Sequence, residues 1–395
     1  MPDPQRPESS DPGSDGQRLS PLHQIHVDAG ASFTDFAGWQ MPVRYSSDLA
    51  EHHAVRNSVA LFDLSHMAEI LVTGPDAGRA LDYALASKIS DIAVGQVKYS
   101  LLLTRDGGIV DDVVIYRTHK NRYGVVANAS NRFAVAGALA ARAADFDVTV
   151  FDESDGLALV AVQGPNALAV LERLDGLETV KPVGEVGYYW STMGTYHGNE
   201  IMVGRTGYTG EDGFELYVRV ENVEQLWREL MTAGAEYGIV PAGLASRDTL
   251  RLEAGMPLYG HELSTDIMPA QAGLSRVVNL TKPDDFVGRE ASEVALPEGA
   301  RVLVGLVSEG KRAGRAGYAV YSADDREIGV VTSGALSPTL GYPIAMAYLD
   351  PVALAEPGGI FIDVRGTRVA ASVVALPFYK RPTAHRESTE KRTEE

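Results

Sequence analysis

Apolar residues change their spacing from segment to segment along this chain, and the spacing predicts the elements. In "VEQLWRELM", Val223, Leu226, Trp227, Leu230 and Met231 fall at i, i+3, i+4, i+7 and i+8, one face of a helix packed on a core. "VKYSLLLTRDGGIVDDVVIYR" reads instead as two strands joined by the turn Arg105-Asp106-Gly107-Gly108. "RYGVVANAS" is a further strand, and it leads into the helical "NRFAVAGALAARAA". One pattern occurs twice: "ILVTGPDAGRAL" (70–81) and "VAVQGPNALAVL" (160–171) both run apolar strand, Gly-Pro, Asp or Asn, helix. Gly74 and Gly164 make the turn, and Pro75 and Pro165 suit the first helical turn, where a missing N–H costs nothing. Two similar α+β modules would explain the pair; a common helix opener used twice would explain it equally. After about residue 285 the texture becomes short alternating strands ("RVLVGLVSEG", "EIGVVTSGALS", "IFIDVRG") between Gly, Pro and Asp turns, which predicts a separate all-β barrel or sandwich.

Composition narrows the function classes. A chain of 395 residues, 45% hydrophobic and 22% charged, is expected to form two or three soluble globular domains. No apolar run is long enough to span a bilayer, so no membrane role is expected. A formal charge of −18 repels phosphate polyanions and argues against nucleic acid as a partner. Cysteine is absent, which removes disulfides, thiolate nucleophiles, iron–sulfur clusters and cysteine zinc sites together. The nine histidines have no metal-ligand spacing, and no metal is expected. Residues 1–20 and 383–395 are polar and read as disordered tails. The first lacks the apolar core of a signal peptide and has too many acids for a transit peptide, so the expected location is cytoplasmic.

"GRTGYTGEDGFELYV" (204–218) is glycine-rich, but strand-like segments lie on both sides of it. Phosphate loops open a helix, so this one is read as a turn between strands. Tyr208 sits at that turn with no bulky neighbour in sequence, and Glu215 points away from the face of Phe214, Leu216 and Val218. A ligand on that face would want a flat aromatic wall and a carboxylate acceptor; a solvated strand face is the plain alternative. In "GIVDDVVIYR" the adjacent Asp111 and Asp112 point to opposite faces, each within an apolar row. At least one carboxylate therefore enters a poorly solvated place, unless both reach water beside the glycine turn. In "AGLASRDTLRLEAGM", Arg247 and Arg251 neighbour a row of Leu244, Asp248 and Leu252, as an internal ion-pair network, an anion site or both.

Together, "FDLSHMAEILVTGPDA", "GGIVDDVVIYR", "GRTGYTGEDGFELYV", "AGLASRDTLRLEAGMPLYGHEL" and "IGVVTSG" resemble the aminomethyltransferase, or T-protein, family of the glycine cleavage system, from about Leu22 to Arg381. The resemblance implies an α+β, three-domain cloverleaf around a central folate site, with a C-terminal barrel-like β domain. Residues 21–50 and 146–270 would form a discontinuous first domain, 51–145 an inserted second and 285–382 the third. The implied reaction moves the methylene carbon from the aminomethylated lipoyl arm of H-protein, the implied partner, to tetrahydrofolate as co-substrate, releasing ammonia. Carried over by motif, Asp112 looks like the catalytic carboxylate, stabilising a cationic transition state and orienting or deprotonating the attacking amine. Glu215 resembles the acceptor for pterin N–H groups, Tyr208 and Tyr99 resemble ring-pocket walls, and Asn128 and Met67 lie nearby. Arg247 matches an arginine near the folate, and Arg381 in "PFYKRP" is assigned to the glutamate tail. Ala68 stands where many members have glycine. A folate-dependent demethylase of the same superfamily is the alternative enzyme. Iron–sulfur maintenance relatives carry a cysteine motif that this chain lacks.

Overall fold

The two strand–Gly-Pro–helix units become interior strands of two different sheets in the computed structural model, which describes residues 16–355 and 358–382. Ala68–Thr73 lies in a five-stranded sheet with Val97–Leu103, Ile109–His119, Arg122–Ala127 and Thr149–Asp152. Leu157–Gln163 lies in a seven-stranded sheet, between Gly213–Arg219 and Ala60–Asp63. The glycine at each turn is obligatory. Gly74 and Gly164 have φ of +141° and +133°, and a Cβ on either would sit 2.4 Å from a backbone oxygen of Asp147 or Ser58. The helices begin only at Ala77 and Ala167, so Pro75 and Pro165 stand ahead of the first helical turn rather than in it. The cause is a closed turn across each proline: Ala77 N–H donates to the Gly74 carbonyl at 3.1 Å, and Ala167 N–H to that of Gly164 at 3.0 Å.

The expected tails at residues 1–15 and 383–395 lie outside the described residues. The expectation of disorder through Ser20 is corrected. Arg18–Leu19 pairs in parallel with Trp39 and Gln40, the Arg18 guanidinium lies 4.1 Å from the Trp39 ring, and the Ser20 hydroxyl donates to buried Asp63. An aromatic stacking partner and a buried acceptor hold a segment that composition alone marks as a tail. Helix Val223–Ala233 buries Val223, Leu226, Trp227 and Leu230, as its periodicity requires.

The apolar residues between the two large sheets come from both. Phe62, Leu159, Ala161 and Tyr217 of the seven-stranded sheet pack with Val97, Tyr116 and Val126 of the five-stranded one. By sheet membership we propose that residues 60–63 go with the first domain and 149–152 with the second, a small shift from the boundaries expected above. The C-terminal strands close into a six-stranded barrel running from Val302–Ser308 to Thr367–Val374, and so form a barrel rather than a sandwich. Helix Leu244–Glu253 fastens it: Leu252 packs with Ala335, Ile344 and Met346, and the Glu253 carboxylate accepts from Thr339 of the barrel at 2.7 Å and from Arg56 at 2.8 Å.

Candidate active site

Asp112 is placed by strand register. It pairs with Leu101 on the neighbouring strand, so Tyr99, two residues along, stands diagonally on the same face, and its hydroxyl donates to Asp112 Oδ2 at 3.1 Å. Asn128 follows the next strand, Arg122–Ala127, with extended backbone. Its amide nitrogen donates to Asp112 Oδ1 and to Asp111 Oδ1, both at 2.8 Å. One NH2 group thus bridges two carboxyls that point to opposite faces of the sheet.

Asp111 does not escape to water, whereas Asp112 stays part-exposed. The turn at Gly107-Gly108 is pressed against residues 264–267: Ile109 N–H bonds to the carbonyls of Ser264 and Ile267, and a Cβ on Gly108 would lie 1.9 Å from the Thr265 oxygen. Asp111 is wholly buried and accepts two further bonds, from the Asn128 backbone N–H at 3.0 Å and Asn131 Nδ2 at 2.7 Å. Burial first, and then the neighbouring Asp112 charge, push the Asp111 carboxyl up to about 7. Burial also raises Asp112, against the opposing pull of the Tyr99 and Asn128 donors.

Asp112 lines a cavity of about 340 Å³ together with Met67, Tyr99, Asn128, Tyr208, Glu215 and Arg247. These residues come from both large sheets, from loops next to their strands and from the helix at residues 244–253. Glu215 Oε2 is held by the Tyr116 hydroxyl at 3.0 Å and the Thr206 hydroxyl at 2.5 Å, and among the described residues Oε1 takes no protein donor. Tyr208 is not bare, as its glycine neighbours suggested. Its hydroxyl donates to the Pro257 carbonyl, and the Arg247 guanidinium lies 4.9 Å from its ring.

The two arginines of the helix divide the alternatives left open above. Arg251, 1% exposed, is spent on an internal network with Asp248, Glu262 at 2.9 Å and Ser333 at 2.7 Å. Arg247 faces the cavity, and its buried Nη1 has no hydrogen-bond partner. Arg381 stands apart. It pairs with Asp212 at 3.4 Å and lies 5.5 Å from the Tyr188 ring, outside the cavity lining.

Tyr217, Tyr189 and His66 are among the lining residues not singled out from the sequence. Tyr217 shares a strand face with Glu215, so period-two alternation carried a signal for it. Tyr189, with φ +59°, and His66 carried none. His66 is buried, its Nδ1 has no partner, and burial pushes its pKa down to about 4, so the ring is neutral at ordinary pH.

The cavity therefore offers aromatic walls, an open carboxylate oxygen on Glu215, an unsatisfied guanidinium nitrogen and a basic carboxyl at Asp112. That donor set suits a flat, N–H-rich heterocycle that also carries an acceptor for Arg247. Among the described residues, no group of three or more His, Asp or Glu could hold a metal ion. Among the described residues, no helix is long and apolar enough to cross a membrane.

Comparison with known proteins gives a consistent picture. Residues 22–282 match the family described as "GCVT N-terminal domain", and residues 301–380 match "Glycine cleavage T-protein C-terminal barrel domain". The aminomethyltransferase of Cutibacterium acnes is 57% identical over 368 residues, covering 92% of this chain and 99% of that protein. That of Saccharopolyspora erythraea is 52% identical over 368 residues, covering 92% and 98%. The crystal structure of glycine cleavage system aminomethyltransferase T from Bartonella henselae superposes with a TM-score of 0.85 at 36% identity, covering 92% of this chain and 98% of that one.

Proposed function

This chain belongs to the glycine cleavage T-protein family and is a folate-dependent aminomethyltransferase, and from that premise we propose how its cavity divides the work. The reaction moves the methylene carbon of an aminomethyl-dihydrolipoyl carrier to tetrahydrofolate, giving 5,10-methylenetetrahydrofolate, ammonia and the dihydrolipoyl carrier. We take the carrier to be a lipoylated H-protein, met in the cytoplasm. When bound, tetrahydrofolate supplies the two nitrogens that take up the carbon, one in the pterin ring and one outside it.

The chain's own residues bind, orient and move protons. Glu215 Oε1 is free to accept N–H groups from a pterin ring while Tyr116 and Thr206 fix the other oxygen. Tyr208, Tyr99 and Met67 wall the ring, and Arg247 offers Nη1 to an acceptor on it. Asp112 is made more basic by burial and is aimed by two donors, which suits it to take a proton from an attacking amine and to face positive charge as it develops. Arg381, one aromatic residue back from the cavity through Tyr188, is our candidate for the glutamate tail.

The observation that carries this reading is the Asp112 carboxylate, clamped by Tyr99 and Asn128, on the same cavity as the half-satisfied Glu215. The test is a reconstituted assay with aminomethylated lipoyl H-protein and tetrahydrofolate, following 5,10-methylenetetrahydrofolate and ammonia. Formation of both, dependent on tetrahydrofolate and lost in Asp112→Asn, supports it. Undiminished turnover in Asp112→Asn overturns the role given to Asp112.

A further inference from the structure

Glu69 is a buried carboxyl that the chemistry above does not use. It lies on Ala68–Thr73, paired with Val126, and is 5% exposed. Its backbone is fully engaged, with the N–H donating to Ser154 Oγ at 3.0 Å and the carbonyl accepting from Glu153 N–H at 2.9 Å. Yet neither Oε1 nor Oε2 has a hydrogen-bond partner. Leaving a buried carboxyl without partners is costly, so the site is incomplete without something that donates to it.

The side chain faces a second cavity, of about 100 Å³, between the two large sheets. Tyr116, Tyr217, Met193 and Met202 supply its aromatic and thioether surface. This space is under a third of the 340 Å³ of the main cavity, too small for a pterin but ample for a species the size of water. Tyr217 and Val126 line both cavities, so one wall separates them. Through that wall the Tyr217 hydroxyl donates to the Tyr116 hydroxyl at 3.1 Å, which donates in turn to Glu215.

The donor set selects a chemical class. An anion is disfavoured by Glu69 and by Glu153 and Glu200 at the rim; of the two arginines there, Arg122 is paired with Glu200 at 3.8 Å and Arg219 is exposed to solvent. Among the described residues, no carboxylate cluster is present for a divalent metal. A small monocation with N–H donors satisfies the free oxygens and sits well against tyrosine faces. We propose that this cavity is an ammonium site centred on Glu69, one wall away from the reacting cavity, which receives the nitrogen released there.

The proposal rests on the aminomethyl-transfer reading for the source of the nitrogen. Burial pushes the Glu69 carboxyl well above the usual carboxylate range; Arg132 opposes that rise, while Asp152 and Asp155 add to it. A neutral carboxyl meeting ammonia gives up its proton: the O–H bond breaks, a fourth N–H bond forms, and an ammonium carboxylate pair results with no change of oxidation state. The proton deposited on nitrogen supplies the donors that Glu69 lacks.

The test uses the full chain and ammonium chloride as the probe, with sodium and potassium chloride at the same ionic strength. Wild type is expected to gain about 2 °C in Tm at tenfold excess over Kd with ammonium alone. Glu69→Gln, and Met193→Phe, which fills the cavity and keeps the carboxyl, should lose that gain while keeping the unliganded Tm. In the reverse reaction the KM for ammonium should rise about tenfold in both variants, with the KM for 5,10-methylenetetrahydrofolate unchanged. An ammonium shift that persists in Glu69→Gln, an unchanged KM for ammonium, or an equal shift with potassium overturns the proposal. Should wild type catalyse no transfer at all, the transferase reading fails, whereas the thermal shift still reads the Glu69 site by itself.

Discussion

Replacing Asp112 by Asn removes one negative charge and leaves the shape of the side chain almost unchanged. The two bonds that aim the carboxylate survive the change. The oxygen of the substituted amide can still accept from Asn128, 2.8 Å away in the wild type, and the Tyr99 hydroxyl can turn from donor to acceptor to meet the new NH2. The fold therefore loses little. A developing positive charge loses a fixed partner. At about 4 Å and an effective dielectric constant of about 20, that attraction is about 4 kcal/mol, and losses from removing one preorganised electrostatic group run at about 3–4 kcal/mol. Both figures give a fall in kcat of about 10²–10³-fold, with the Kd for tetrahydrofolate within about threefold of wild type. Coupled turnover and equilibrium binding measure the two separately. There is also an internal check, because the Asp112 charge is the second cause holding Asp111 near 7. In Asp112→Asn, the Asp111 titration, read by carboxyl NMR, should move down. A kcat within a few-fold of wild type, or binding and turnover lost in equal proportion, would refute the reasoning.

Glu215→Gln should weaken tetrahydrofolate binding by about 10–100-fold with a smaller effect on kcat, because a charge-assisted acceptor is worth about 1.5–3 kcal/mol; an unchanged dissociation constant counts against the assignment. Asp111 has a folded pKa of about 7, above its unfolded value, so the stability from its bound proton is complete below about pH 4 and lost as pH rises through about 7. Asp111→Asn should therefore flatten the pH dependence of unfolding in that window by up to about 1.4 kcal/mol per pH unit, measured by urea titration at several pH values. Glu253 runs the other way. Burial alone would raise it, but bonds from His52 and Ser337 and the Arg56 charge hold it down at about 2. Its contribution is present above about pH 4 and lost as pH falls through about 2, and Glu253→Gln should cost about 3–5 kcal/mol at neutral pH by leaving Arg56 short of a buried partner. Equal urea midpoints for Glu253→Gln and wild type would remove that ion pair from the account of how the barrel is fastened.

What could be read from the sequence was whatever local spacing determines. The helix at residues 223–233, the hairpin around Gly107-Gly108 and the change to β texture are all periodic signals, and the structure has each of them. The glycine run at 204–213 was legible as a turn between Asn199–Gly204 and Gly213–Arg219, but the reason for two of its glycines was not. A Cβ on Gly207 would lie 2.2 Å from the Gln163 amide oxygen, and one on Gly213 2.3 Å from the amide nitrogen. Both glycines close around one glutamine from a distant strand, a long-range contact that no local pattern carries.

The acidic pair marks the same boundary from the side of chemistry. Alternation tells that Asp111 and Asp112 face opposite ways, and apolar rows tell that one of them is dry, yet the decisive group is Asn128 on the next strand. Its NH2 reaches both carboxyls only because Val114 pairs with Val126, which sets the end of that strand beside the two acids. A one-residue slip of that register would turn the side chains of Arg122–Ala127 to the other face, taking the amide away from the acids. The two carboxyls would then have no common donor, and the pair would hold its protons more tightly. The register of an ordinary antiparallel pair thus tempers the basicity that burial gives Asp112.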